Sequence, residues 1–375
     1  MYRILIIGYL PYINGISTSV LNIYRNLDRS LFQYDFLLSS EFRNANSPDI
    51  EEIRSLGADI YYMNYDNYSF PKSSRQKFKE LMLSIPDLKG VHVHDLATMV
   101  YPLYLADRLG FPIKVIQCHT ARSKSVTNNL KKSRSQIAKL NLIKGNQFDR
   151  FACSDLSGLY DFPGLSYEIM PNAVDIDRFT YNKLYRSLVR QKLGIKDSST
   201  VIGSVGNVYY VKKPLFSIEI FHRFHLKNPD SYYFVLGSGN MLNNVRDYAK
   251  ENGISDRVFI FGSRLDIDIY YNAMDIVIQP SASEGLPNSL VEAQTSGLPC
   301  LVSDEISDMV RLTPLIRFMS LSEDAESWAN ELASINNSRG ERREWRKEIK
   351  SAGYDIKDVS KTLMNLYLDR IHQCK

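Results

Sequence analysis

Residues 276–302 read IVIQPSASEGLPNSLVEAQTSGLPCLV. The apolar run Ile276 to Gln279 reads as a buried strand, Pro280 to Pro287 as a loop, and a helix begins near Asn288 or Ser289. A second apolar run, Pro299 to Val302, follows at once, and strand, loop, helix, strand is the repeating unit of a parallel sheet. Ser289 with Glu292 three residues later has the form of a capping box. The positive end of the helix dipole then keeps Glu292 ionised at neutral pH, able to accept hydrogen bonds from a vicinal diol. Glu284 has no such local role: it sits at the carboxyl end of a strand, where open α/β sheets hold their ligands.

Outward from this unit the same alternation fills the chain. Expected strands are Ile4 to Ile7, Tyr34 to Leu38, Asp59 to Met63, Gly90 to Val93, Ile113 to Gln117, Arg150 to Cys153 and Tyr167 to Met170. After the linker-like PNAVDIDRFTYNKL (171–184) a second series runs Val201 to Val205, Tyr232 to Leu236, Val258 to Phe261, Ile276 to Gln279 and Pro299 to Val302. The fold class is therefore α/β, with two Rossmann-like doubly wound domains and a ligand cleft between them. The expected domains are 1–175, 176–355 and a C-terminal helical stretch, 356–375, whose pattern VSKTLMNLYLDRI (359–371) has helical spacing.

The 375 residues are too many for one typical core. A formal charge of +4 is too mild to indicate nucleic acid. Cys118, Cys153, Cys300 and Cys374 are scattered, which suggests neither a disulfide framework nor a zinc site and fits a reducing cytoplasm. MYRILIIGYLPY reads as a first strand, since its apolar run is shorter than a signal peptide's core. No stretch approaches the roughly 18 apolar residues of a membrane span.

Four further loops meet helices or strand ends. GYLPYINGISTSV (8–20) brings Gly8, Asn14 and Gly15 to a helix start, which offers bare N–H groups and a positive dipole to an anion, although a plain strand-to-helix turn would look the same. VGNVYYVKKP (205–214) places Lys212 and Lys213 just before Pro214, a residue suited to the first helical turn. Lysines there oppose the dipole unless an anionic ligand joins them; the alternative is a pair of solvated lysines. LGSGN (236–240) carries Gly239, and FIFGSR (259–264) carries Phe261.

The segment 280–304, with MPNAVDIDRF (170–179) and the Lys212 loop, resembles the family 4 glycosyltransferases of the GT-B fold, in their bacterial capsular and exopolysaccharide branch. The resemblance implies an N-terminal acceptor-binding domain, a C-terminal nucleotide-sugar-binding domain and a final helix that packs back on the first. It also implies a retaining, metal-independent transfer from a nucleoside diphosphate sugar, with UDP as nucleotide, to a lipid-linked or growing cell-surface polysaccharide. No cofactor beyond the donor is expected. By the same resemblance Glu284 contacts hydroxyls of the transferred sugar and Glu292 the ribose. Backbone around Gly285, Leu286, Asn288 and Ser289 borders the sugar and diphosphate, Gly15 contacts phosphate, and Lys212 neutralises the diphosphate. Asn207 stands where relatives have arginine, so either Lys213 or a first-domain group supplies the charge or donor binding is weaker than in those relatives. His119, in QCHTA (117–121), matches a histidine at the reaction centre; a lone histidine at a strand end is otherwise more often structural.

The expected catalytic set is thus His119, Glu284 and Lys212. The strings Asp175 to Asp177 and Asp266 to Asp268 read as caps or turns rather than metal ligands. A glycosidase pair is disfavoured, because an ionised first-turn glutamate is a poor proton donor. An epimerase or hydrolase of the same architecture and a catalytically idle binding subunit remain alternatives. Residues 120–148 hold seven lysines or arginines and no acid. That is either a solvated face or a peripheral contact with an anionic membrane at the inner face of the cell.

Overall fold

The computed structural model describes residues 1–9, 11, 15–45, 47–65, 70–94, 100–119, 148–338 and 340–374. Contacts divide the chain into two compact units: one holds the described residues up to Ala173 together with those from Ile356 onward, the other is Val174–Asp355. The sequence placed the first boundary near residue 175.

In the first unit the strands β1 (Tyr2–Ile7), β2 (Phe32–Ser39), β3 (Ile60–Met63), β4 (Leu88–His94), β5 (Ile113–Cys118), β6 (Asp149–Ala152) and β7 (Glu168–Ile169) form one sheet of order β3-β2-β1-β4-β5-β6-β7. Its strands pair in parallel; β1 pairs with β2 from Tyr2/Phe32 to Ile7/Leu37. Parallel strands joined by crossover helices are covered on both faces, which explains why Ile4 to Ile7 is an unbroken apolar run. Ile4 and Ile6 join one core with Tyr34, Phe36 and Leu38, while Leu5 and Ile7 join another with Leu37, Val91 and Val93. At the carboxyl end of β1, Gly8 has φ +90, and a Cβ there would run into the backbone carbonyl of His94.

The C-terminal helix Ile356–Gln373 completes the first of these cores with Ile356, Val359, Leu363, Tyr367 and Ile371. Burying each such side chain is worth about 1.5–3 kcal/mol. The Tyr367 hydroxyl also meets that of Tyr34 at 3.0 Å and His92 Nδ1 at 2.7 Å.

In the second unit β8 (Thr200–Val205), β9 (Ser231–Leu236), β10 (Val258–Gly262), β11 (Ile276–Gln279), β12 (Cys300–Ser303) and β13 (Ile316–Met319) are ordered β10-β9-β8-β11-β12-β13. Ile276 sits opposite Ile202, and Val277 opposite Cys300. Ile202, Phe221, Tyr233, Ile278 and Trp328 share its core. All twelve expected strands are present within about two residues; β13 was not expected. It is an edge strand of the described sheet, and the short run IRFM, with only Ile316 buried, lacks the apolar continuity of its neighbours. The four cysteines are free, three of them buried. Among the described residues no helix is long and apolar enough to cross a membrane.

Candidate active site

The second unit gathers most of the expected residues at the carboxyl ends of β8, β9, β10 and β11. After β8 the chain turns at Gly206, and Val208 laces the next loop in place: its N–H donates to Ser238 O at 2.9 Å, and its carbonyl accepts from Met241 N–H at 3.1 Å. Gly239 lies under that lacing, where a Cβ would collide with the Val208 backbone. A short 3-10 turn, Tyr210–Lys212, follows. Lys213 then takes a left-handed conformation, φ 50, before Pro214 opens the helix Pro214–Lys227. Left-handed backbone is unfavourable for a residue with a Cβ, and such positions cluster at ligand sites. The Lys213 ammonium lies over the Phe216 ring, 5.8 Å from its centre.

A pocket opens here, lined by Ser204, Gly206, Asn207, Lys212, Gln279 and Ser281 among others. Ser281 is fully buried, and its hydroxyl has no hydrogen-bond partner among the described residues. An unsatisfied buried hydroxyl is costly, so this one is open to a further donor or acceptor.

Glu284, for which the sequence offered no local structural role, is held by two side chains. Its Oε1 forms an ion pair with Lys212 Nζ and accepts from Gln279 Nε2 at 2.8 Å. The Gln279 amide is oriented by Ser289 Oγ, which donates to its Oε1 at 3.0 Å. The side chains of Lys212 and Glu284 are 24% and 9% exposed, so the pair is largely shielded from water. The backbone ties the two loops together as well, Ala282 N–H donating to Val211 O at 2.8 Å.

The capping box is overturned. The helix Asn288–Thr295 is capped by Pro287, so Ser289 falls two positions inside the cap and Glu292 two positions past the third residue a capping box uses. Glu292 turns instead to Tyr271, whose hydroxyl donates to its Oε2 at 2.8 Å. The expectation that Glu292 stays ionised also fails. Burial lifts its carboxyl to about 7, while the Tyr271 hydroxyl and the Arg178 guanidinium pull it back. Leu286 and Asn288 are buried at this helix end, with Gly285 half-buried. Phe261 packs on Tyr270, ring centres 4.6 Å apart.

The Asp-x-Asp strings are turns and ion pairs. Asp175 accepts from the backbone N–H groups of Asp177 and Arg178 at 3.1 Å. Asp177 pairs with Arg346, Asp266 with Arg264 and Asp268 with Arg178.

Gly15 and His119 belong to the first unit. Gly15 is the first residue of the helix Gly15–Arg25, with no described atom within 4 Å of where a Cβ would stand; Asn14 lies outside the described residues. His119 Nδ1 meets Asn172 Oδ1 at 2.9 Å, and its Nε2 meets His94 Nδ1 at 2.9 Å. Both ring nitrogens are thus engaged by protein. Burial holds the imidazole down at about 4, against the pull of Asn172, so His119 is neutral near pH 7. The basic stretch 120–148 falls outside the described residues except for Phe148.

Sequence reasoning missed Gln279, Ser281, Tyr271, Asn172, His92 and His94. The last two carried a signal: in GVHVHD (90–95) they alternate with valine, which puts both on one face of β4. Their rings are stacked, 4.2 Å between centres.

Two doubly wound parallel sheets, one bearing a lysine loop and two glutamates at its strand ends, are the architecture of the GT-B glycosyltransferases. Residues 186–352 match the family described as "Glycosyl transferases group 1". EpsF of Bacillus subtilis (strain 168), which carries the name of a glycosyltransferase, is 31% identical over 94% of this chain and 93% of its own. A UDP-Gal:alpha-D-GlcNAc-diphosphoundecaprenol alpha-1,3-galactosyltransferase of Escherichia coli is 26% identical over 75% of both chains. Among solved structures, Anabaena HepE in complex with UDP superposes with a TM-score of 0.75 at 14% identity, over 97% of this chain and 99% of that one. The chain belongs to the group 1 glycosyltransferases, and it is a glycosyltransferase of the GT-B type.

Proposed function

We propose that the protein transfers a sugar, with retention of configuration and without a metal ion, from a UDP-sugar to a lipid-linked or growing cell-surface polysaccharide. The observation that carries this reading is the pocket at the carboxyl ends of β8 and β11 that Lys212, Gln279 and Ser281 help to line, with Glu284 bonded to the first two. The UDP in the HepE complex and the diphosphoundecaprenol-linked acceptor named for the Escherichia coli relative support the donor and acceptor classes.

In this reading the second unit holds the donor and the first the acceptor. Lys212 and the helix starting at Gly15 stabilise charge on the diphosphate as it leaves. Glu284 orients the transferred sugar, Glu292 accepts from the ribose, and the backbone from Gly285 to Ser289 borders the diphosphate, with Gly239, Phe261, Asn207 and Lys213 flanking the nucleotide. The acceptor oxygen bonds to the anomeric carbon while its bond to the diphosphate breaks, and the acceptor proton passes to the departing diphosphate. Catalysis then rests on positioning. His119, neutral and held at both nitrogens, serves as an oriented ring rather than a base. Peripheral membrane contact through residues 120–148 and a cytoplasmic location complete the proposal.

The test is a melting-temperature screen against UDP- and GDP-sugars, then mass spectrometry of any acceptor product. A ligand at 100 times its Kd should add about 2.7 kcal/mol of stability. If Lys212→Ala left nucleotide affinity and turnover unchanged, the donor site would be misplaced. A second reading, an idle sugar-nucleotide-binding subunit, is favoured by the uncharged Asn207 in the pocket lining. Turnover with any acceptor dismisses it.

A further inference from the structure

The Lys212–Glu284 pair creates a conflict, because the cation expected to meet the diphosphate is already held by a carboxylate. Lys212 cannot pair fully with both anions in a shielded pocket without forcing two negative charges together. When Lys212 turns to phosphate, Glu284 keeps Gln279, whose amide is fixed from behind by Ser289. It nevertheless loses its charged partner while 9% exposed. A buried carboxylate short of donors is costly. Sugar hydroxyls replace the lost donor; a bare diphosphate does not.

We propose, resting on the donor reading above, that Glu284 determines the site's preference for the sugar-bearing donor over the sugar-free nucleoside diphosphate product, by competing for Lys212. With a sugar present the exchange of partners is compensated. With the product alone it is not, so the product is bound weakly and released. Gln279 is the positioning residue that keeps Glu284 in place during the exchange.

The experiment is isothermal titration of the full chain, wild type and Glu284→Gln, with UDP and GDP and with UDP-glucose, UDP-galactose, UDP-N-acetylglucosamine and GDP-mannose. The nucleotide that wild type binds is the one read. Glu284→Gln should bind the bare diphosphate roughly five-fold more tightly and its sugar derivative no more tightly than wild type, so the preference for sugar shrinks. In a Lys212→Met background Glu284→Gln should have no effect, which separates competition for the lysine from plain repulsion between carboxylate and phosphate. Glu284→Ala should tighten the bare diphosphate in the same way, with thermal melts checking that each variant is folded.

Unchanged or weaker binding of the bare diphosphate by both Glu284 variants overturns the inference and leaves the donor reading standing. So does equal tightening of both ligand types, or tightening that persists without Lys212. If wild type binds none of these compounds, the donor reading falls and takes the inference with it.

Discussion

A carboxyl group lifted to about 7 by burial changes its charge around neutral pH, and this sets the pH dependence of any ligand that needs its anion. In the proposed role Glu292 accepts from ribose hydroxyls, which favours the ionised form. Nucleotide affinity should therefore hold above pH 8 and fall as pH drops through 7, approaching about ten-fold per pH unit below it. Titrations from pH 8 to 5.5 would show this, with Glu292→Gln flat over the range. Tyr271→Phe removes the donor that stabilises the anion and should move the midpoint above 7. A wild-type profile without a break between 6 and 8 would contradict the ribose role.

Elements were more legible than the hydrogen bonds between them. The run Ile276 to Gln279 and the Pro280 to Pro287 loop were readable because continuous apolar strands and proline-bounded turns are local patterns. The partners of Glu284 were not, since Lys212 lies 72 residues away in sequence and meets it only once β8 and β11 are neighbours. Nor could the sequence reveal that Pro287 displaces the cap or that Tyr271 buries Glu292, because both depend on which side of a helix faces the sheet. Gly8 tests the element scale directly. Gly8→Ala puts a Cβ against the His94 carbonyl at positive φ, and should cost about 2 kcal/mol or more in urea unfolding. A smaller loss would mean that β1 and β4 can separate at their carboxyl ends.

At the scale of the whole molecule, each unit has its own response to acid. His92 and His119, in the first unit, are held down at about 3 and about 4 by burial, and His94 lies well below its ordinary value for the same reason. Folded values below 6.5 mean that the unfolded chain takes up protons first. Their contribution is intact above pH 6.5 and is lost as pH falls, by about 1.4 kcal/mol per pH unit for each histidine. Asp35 and Asp49, raised by burial in the same unit, oppose this at the acid end. The direct check is NMR of the imidazoles: the three should stay flat from pH 8 to 5, and a midpoint above 6 for any of them would refute the assignment. Removing residues 356–375 should likewise strip five side chains from the first unit's core and unfold it, while amide exchange in Val174–Asp355 stays protected.

The C-terminal helix also bears on the order in which the protein is made. Domains commonly fold as they emerge from the ribosome, the earlier one first. Here the unit begun first has to wait: its core is finished by Ile356–Gln373, whereas the described residues of the second unit form one continuous stretch, Val174–Asp355. The part translated later is therefore the part that can close first. Until the helix arrives, the nascent first unit leaves Phe32, Tyr34 and their apolar neighbours uncovered, and in that interval a chaperone has something to hold.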